Sequence, residues 1–149
     1  MFFSELASIA ATAKTFQSLL RNTRGMKRSL LLELQKNFNL IHLFLGDESK
    51  VTSVINRLDV RAYEEAVRSE FDFKSIKKGK LGSRIIGDIK QLQPYVGWTT
   101  EQLFENVYLK VHQLKNINEI DPGNEKYRIN VRLRNLHKMM LLLIKHVKS

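Results

Sequence analysis

Toward the end of the chain, Ile129, Leu133, Leu136, Met140, Leu143 and Val147 recur in alternating steps of four and three residues. Steps of that length bring an apolar side chain back to one side of an α-helix, which turns once in about 3.6 residues. A half-buried strand needs alternation by two, so the pattern commits this segment to helix, and the same pattern recurs upstream. Phe2, Leu6, Ile9, Ala13, Phe16 and Leu20 form one such stripe, closed by Asn22 and Gly25. Leu31, Leu34, Phe38, Ile41 and Leu45 form another, ended by Gly46; the additional Leu30, Leu32, Leu40 and Phe44 widen its apolar arc and predict a central position. Phe104, Val107, Val111 and Leu114 form a further stripe, opened by a capping box from Thr99 to Gln102.

These stripes predict an all-α fold: an antiparallel helical bundle of four long amphipathic helices over about 2–21, 27–45, 100–117 and 124–148, with an inserted region of short helices and a basic loop over 47–98. At 149 residues the chain suits a single domain, 1–149, with one core. The short connection "RNTRGMKR" makes the first two helices an antiparallel hairpin. Within the insert, "DESKVTSVINRLDVRAYEEAVRSEF" reads as two short helices, the second capped by Asp59 with Leu58 against its first turns. A further short helix runs from Ser83 to about Leu92, and Tyr95 and Trp98 in "QPYVGW" cover one end of the core. No segment reads as a strand, an internal repeat or a low-complexity tract.

Charge narrows the functions open to such a fold. The net charge of +10 is uneven: residues 74–98 carry six Lys/Arg against one acid and residues 126–149 seven against none, while the remaining segments nearly cancel. In the last helix Arg134, Lys138 and Lys145 share the side opposite the apolar stripe and form a basic ridge. Met139, Leu141 and Leu142 lie off the stripe, so between Met139 and Ile144 the helix is apolar almost all round. Such a segment is buried in the chain's own bundle or covered by a second chain. That apolar run is far shorter than the roughly 18 residues of a membrane span. The start, "MFFSELASIAATAK", has Glu5 and no basic residue ahead of its apolar stretch, unlike a signal peptide. A soluble, cytoplasmic protein is expected. Membrane-surface binding through "MFF" is not, because the polar face of the first helix is mostly Ser, Thr and Gln.

Chemistry-bearing motifs are sparse. Without cysteine there is no disulfide and no thiolate site. His42, His112, His137 and His146 are scattered outside any metal-binding spacing, so no metal and no cofactor is expected. "KSIKKGKLGSR" contains a Gly-Lys pair but no P-loop. No nucleophile elbow or paired-carboxylate motif stands out. Arg132 and His137 have the R-x4-H spacing, which is similar to the motif of HEPN domains, helical-bundle proteins that often act as dimeric ribonucleases. The resemblance implies an arginine and a histidine acting on a scissile phosphate, with Arg132 and His137 as the catalytic candidates. On a regular helix the two leave the axis about 140° apart, and otherwise they read as residues flanking the core stripe.

Three functions follow. The first expectation is a non-enzymatic helical interaction module that self-associates or binds a protein partner through Met139, Leu141 and Leu142, with Tyr95 and Trp98 as aromatic anchors. The alternative is sequence-independent RNA or DNA binding through Lys77, Lys78, Lys80, Arg134, Lys138 and Lys145. The third is the HEPN-like ribonuclease that the resemblance implies.

Overall fold

The computed structural model of the chain describes residues 9–149, which form α1 (Ile9–Leu20), α2 (Gly25–Gly46), α3 (Val51–Arg57), α4 (Arg61–Arg68), α5 (Ser83–Ile86), α6 (Thr100–Ile120) and α7 (Ile129–Lys148). Short 3₁₀ turns sit at Glu48–Lys50, Phe73–Ser75, Lys90–Tyr95 and Glu125–Tyr127. Among the described residues there is no strand, and no helix is long and apolar enough to cross a membrane. The expected capping box opens α6: the Thr99 hydroxyl accepts from the Gln102 N–H, and the Gln102 side chain accepts from the Thr99 N–H.

Three boundaries differ from the sequence expectation: α6 runs on to Ile120 rather than about 117, and two others differ for local reasons. The last helix begins at Ile129 rather than near Asn124, because the 3₁₀ turn ends at Arg128 in the left-handed conformation (φ 53°, ψ 49°). The short helix expected from Ser83 stops at Ile86, where Gly87 takes φ 62°. Phe2 and Leu6 of the first stripe, and the "MFF" segment, lie outside the described residues. Of the same stripe, Phe16 is fully buried against Phe38, their ring centroids 6.4 Å apart, while Ala13 is exposed.

Most of the predicted stripes meet in one core: Leu34, Phe38 and Ile41 from α2, Phe104, Val107 and Val111 from α6, and Leu133, Leu136 and Met140 from α7 are all fully buried. Leu32 and Leu45 are exceptions, 42% and 40% exposed. At about 100° per residue, the buried positions of α2 span the arc from Glu33 round to Leu31, and Leu32 falls outside it with Lys36 and Leu43. Leu45 lies on the buried arc but in the last turn, beyond the packed part of the helix.

α7 packs against α6, α2, α5 and α1. Enclosure from four sides explains why every residue from Met139 to Ile144 is at most 4% exposed. The expected interface therefore needs correction. Met139, Leu141 and Leu142 are covered by the chain's own helices and offer no seam to a second chain.

The insert is fastened to α2 and α6 by buried polar side chains. Glu33, 7% exposed on α2, accepts the Ala62 and Tyr63 N–H groups at 2.6 and 3.1 Å, so it caps α4 across the fold. Asp59, the expected cap, takes the Arg61 N–H as its one backbone donor of α4 and otherwise pairs with the Arg61 guanidinium and the Lys36 ammonium, while its own backbone is held at both N–H and C=O by Asn37 at 2.8 Å. Burial raises the Glu33 carboxyl above its ordinary range, against the pull of those N–H groups. The Tyr108 hydroxyl faces Glu33 and Asn37, although its geometry falls short of a formed hydrogen bond. At the C-terminus of α3, the Lys115 ammonium donates to the Leu58 carbonyl at 2.7 Å and to those of Asn56 and Ile55, the cation a helix C-terminus favours.

Candidate nucleic-acid interface

The lysine loop is held between apolar anchors. Phe73 and Ile76 enter the core before it and Leu81 after it, each no more than 8% exposed, so Lys78 and Lys80 are left facing out. Gly79, at φ 84°, makes the turn between them, a conformation that L side chains rarely adopt. Leu81 locks the far end: its N–H donates to the Trp98 carbonyl and its carbonyl accepts from the Gly97 N–H, both at 2.8 Å.

A buried relay ties the near end of the loop to α7. The Thr100 hydroxyl donates to the Lys77 carbonyl at 2.7 Å and lies 2.9 Å from Nε2 of His146. A hydroxyl has one proton to give, so once it points at Lys77 its oxygen accepts from His146, which fixes the Nε2–H tautomer. His146 is 1% exposed; its burial, and then the nearby Lys77 charge, lower its pKa and keep the ring neutral at pH 7. The Lys77 ammonium donates to the Ser149 carbonyl, just beyond the last turn of α7. Lys145 and Lys148 belong to that turn. The two basic segments of the sequence thus meet at one pole of the molecule, at the start of α6 and the end of α7.

The remaining candidates are placed differently. Arg134 is paired with Glu48, which neutralises it. Lys138 is exposed, but Leu141 and Leu142 between it and Lys145 are buried, so α7 does not carry one uninterrupted basic ridge. Tyr95 and Trp98 are half-buried, edge-to-face at 4.7 Å, and packed against the core as a lid. A cleft of 290 Å³ beside the loop is lined by Lys74, Lys77 and Lys80, with Asp72 and Glu101 also at its wall.

Arg132 and His137 are not brought together. Arg132 is exposed, its Nε donating to the Tyr127 carbonyl at 2.7 Å. His137 is 9% exposed and stacks on Phe38 at 5.0 Å, with His42 edge-on at 5.3 Å. Burial and then the neighbouring His42 lower the His137 pKa to about 4. A ring so enclosed, and parted from Arg132, does not form the arginine–histidine pair that the R-x4-H resemblance implies.

Lys148, Thr100 and His146 were missed as site residues. Lys148 was legible, one turn beyond Lys145 on the same side of the helix. The other two were not: 46 residues separate Thr100 from His146, and nothing in the local pattern of either announces the contact. Fold and site together define a protein that is all-helical over the described residues, in which a buried threonine–histidine relay brings part of each basic segment to one pole. No known family model matches the chain, and neither a curated protein nor a solved structure does.

Proposed function

We propose that the protein binds RNA or DNA without reading sequence, through the pole formed by Lys77, Lys78, Lys80, Lys145 and Lys148, and that it catalyses nothing there. The scaffold in this reading is an antiparallel bundle of the four long helices α1, α2, α6 and α7. One observation carries the proposal: the Lys77–Ser149 contact joins the two segments that hold the charge excess. Lysines are compact point charges without the forked donors that read base edges, and they suit phosphates. Phe73 is buried and Phe71 half-buried, so neither is free to stack on bases. Backbone contact with little preference among sequences is what remains.

The test is fluorescence anisotropy with labelled single-stranded and duplex oligonucleotides over a series of salt concentrations. Lys78→Glu with Lys80→Glu should weaken binding at least about tenfold, and flatten the dependence of log K on log salt by about 1 to 2 for two lost phosphate contacts. Binding that ignores this double variant would refute the site. A second reading, contact with a protein or another copy of the chain, is favoured by exposed Leu32 and Leu43 (42% and 61%) flanking half-buried Leu40 on α2. Light scattering after size exclusion tests it: Leu43→Glu should dissociate an oligomer and leave oligonucleotide binding alone.

A further inference from the structure

At the opposite end of α7 the chain forms a separate cleft of 330 Å³, between the middle of α6 and the turn that enters α7. Lys110, Lys126, Arg128 and Arg132 line it, with the amides of Gln113 and Asn135 and no acidic residue. None of the four cations is in a salt bridge to a carboxylate among the described residues. Two acids, Glu125 and Glu48, border a neighbouring depression that Arg128 also lines, and Glu48 is engaged by Arg134. Like charges gathered without counter-charge repel one another, so the arrangement is one that a bound anion relieves.

The backbone favours the same ligand. Arg132 is tethered through Nε to the Tyr127 carbonyl, which aims the guanidinium and leaves both terminal nitrogens to donate. The Lys126 ammonium lies over the Tyr127 ring, 5.1 Å from its centroid. Arg128 holds a left-handed conformation at φ 53°, costly for a side chain bearing a Cβ, and it offers no side-chain cap to α7. Of the first turn of α7, Val131 and Arg132 line the cleft while Ile129 and Asn130 line the neighbouring depression, and that turn contains no acid to compete for the cations.

We propose that this cleft binds a phosphomonoester: a terminal phosphate group with two negative charges, carried by a free nucleotide or by the end of a nucleic-acid strand. An internal phosphodiester brings one charge to four cations. A terminal phosphate brings two, with three oxygens for the guanidinium and ammonium donors. The site is independent of the lysine pole, and either can fail without the other.

Isothermal titration of the full chain with adenosine monophosphate, adenosine and inorganic phosphate tests the free ligand. Anisotropy with one short oligonucleotide, phosphorylated or not at its end, tests the strand. The monophosphate should bind about tenfold or more tighter than adenosine, as two charge-assisted hydrogen bonds warrant, and Arg128→Gln with Arg132→Gln should erase the difference. Lys110→Gln, which disturbs no backbone contact, should weaken it several-fold and guards against misfolding of the double variant. An advantage for the phosphorylated strand would name the strand end as the source; an advantage confined to the mononucleotide would name the free nucleotide. If the phosphate group improves binding in neither setting, or if the improvement survives all three substitutions, the proposal is wrong. Lys78→Glu with Lys80→Glu should lower overall strand affinity and keep the phosphate advantage, which separates failure here from failure of the polar site.

Discussion

At the end of α7, positive charge is built into a fastened loop: Thr100 grips the Lys77 carbonyl, His146 grips Thr100, and Lys77 reaches the Ser149 carbonyl. At its start, charge surrounds an open cleft, with Arg128 in a strained conformation and four cations that make no salt bridge to a carboxylate among the described residues. Between the two ends, about 30 Å apart along the axis, lies the segment Met139–Ile144, which contributes nothing to either surface and everything to the core. One helix thus holds rigid charge, poised charge and none. The difference shows that a run of Lys and Arg in sequence says where charge lies and nothing of whether it is already satisfied.

The sharpest break of this comparison is in the middle. Leu142→Glu puts an unpaired carboxylate at a fully buried site and should cost more than about 4 kcal/mol, enough to unfold much of the population. Lys138→Glu, one helical turn earlier and exposed, should stay within about 0.5 kcal/mol. Urea denaturation followed by circular dichroism measures both, and equal effects would contradict the enclosure of α7.

Acid should act next. His137 is held to about 4 in the fold and returns to about 6.5 when the chain unfolds. Between those values the unfolded chain binds more protons, so this contribution is complete above pH 6.5 and is lost as pH falls toward 4. The loss is on the order of 3 kcal/mol. Glu33, whose carboxyl is raised, acts in the opposite direction, so the measurement is the difference between wild type and His137→Phe across pH 7 to 4. A constant difference would mean that His137 is not enclosed.

Thr100→Val keeps the shape and removes the hydroxyl, leaving the Lys77 carbonyl and the His146 N–H without their partner. A loss of about 1–3 kcal/mol is expected. Oligonucleotide binding should weaken with it, because the near end of the loop then loses its backbone tie to α6 and keeps only the Lys77–Ser149 contact and the apolar anchors. A stability loss with unchanged binding would uncouple the relay from the pole.

The smallest effect sharpens the contrast at the other end. Arg128→Gly relieves a left-handed residue and should raise stability by about 0.5–1 kcal/mol while weakening phosphate binding. Stability that falls instead would mean that the Arg128 side chain supports the fold rather than a ligand.

Stepwise apolar spacing made the long helices legible, since burial demands that their stripes face one another. Spacing also exposed the Thr99–Gln102 cap, whose partners are three residues apart. It misplaced Leu32 and Leu45 and put α4 under the sole care of Asp59, because the width of a buried arc and a cap supplied from 29 residues upstream by the accepting Glu33 carboxylate depend on neighbours that a local pattern does not contain.

Residue order alone dictates that the described chain is helical, that its charge excess lies in two segments, and that Met139–Ile144 is covered, because periodicity, net charge and apolar content are local sums over the chain. It leaves open what covers that segment. Helix packing is what makes the cover the chain's own helices, brings the two basic segments together at Lys77, and sends Arg132 and His137 apart into a cleft and a core. Those outcomes are distances between residues far apart in sequence, and they are set by how the helices pack.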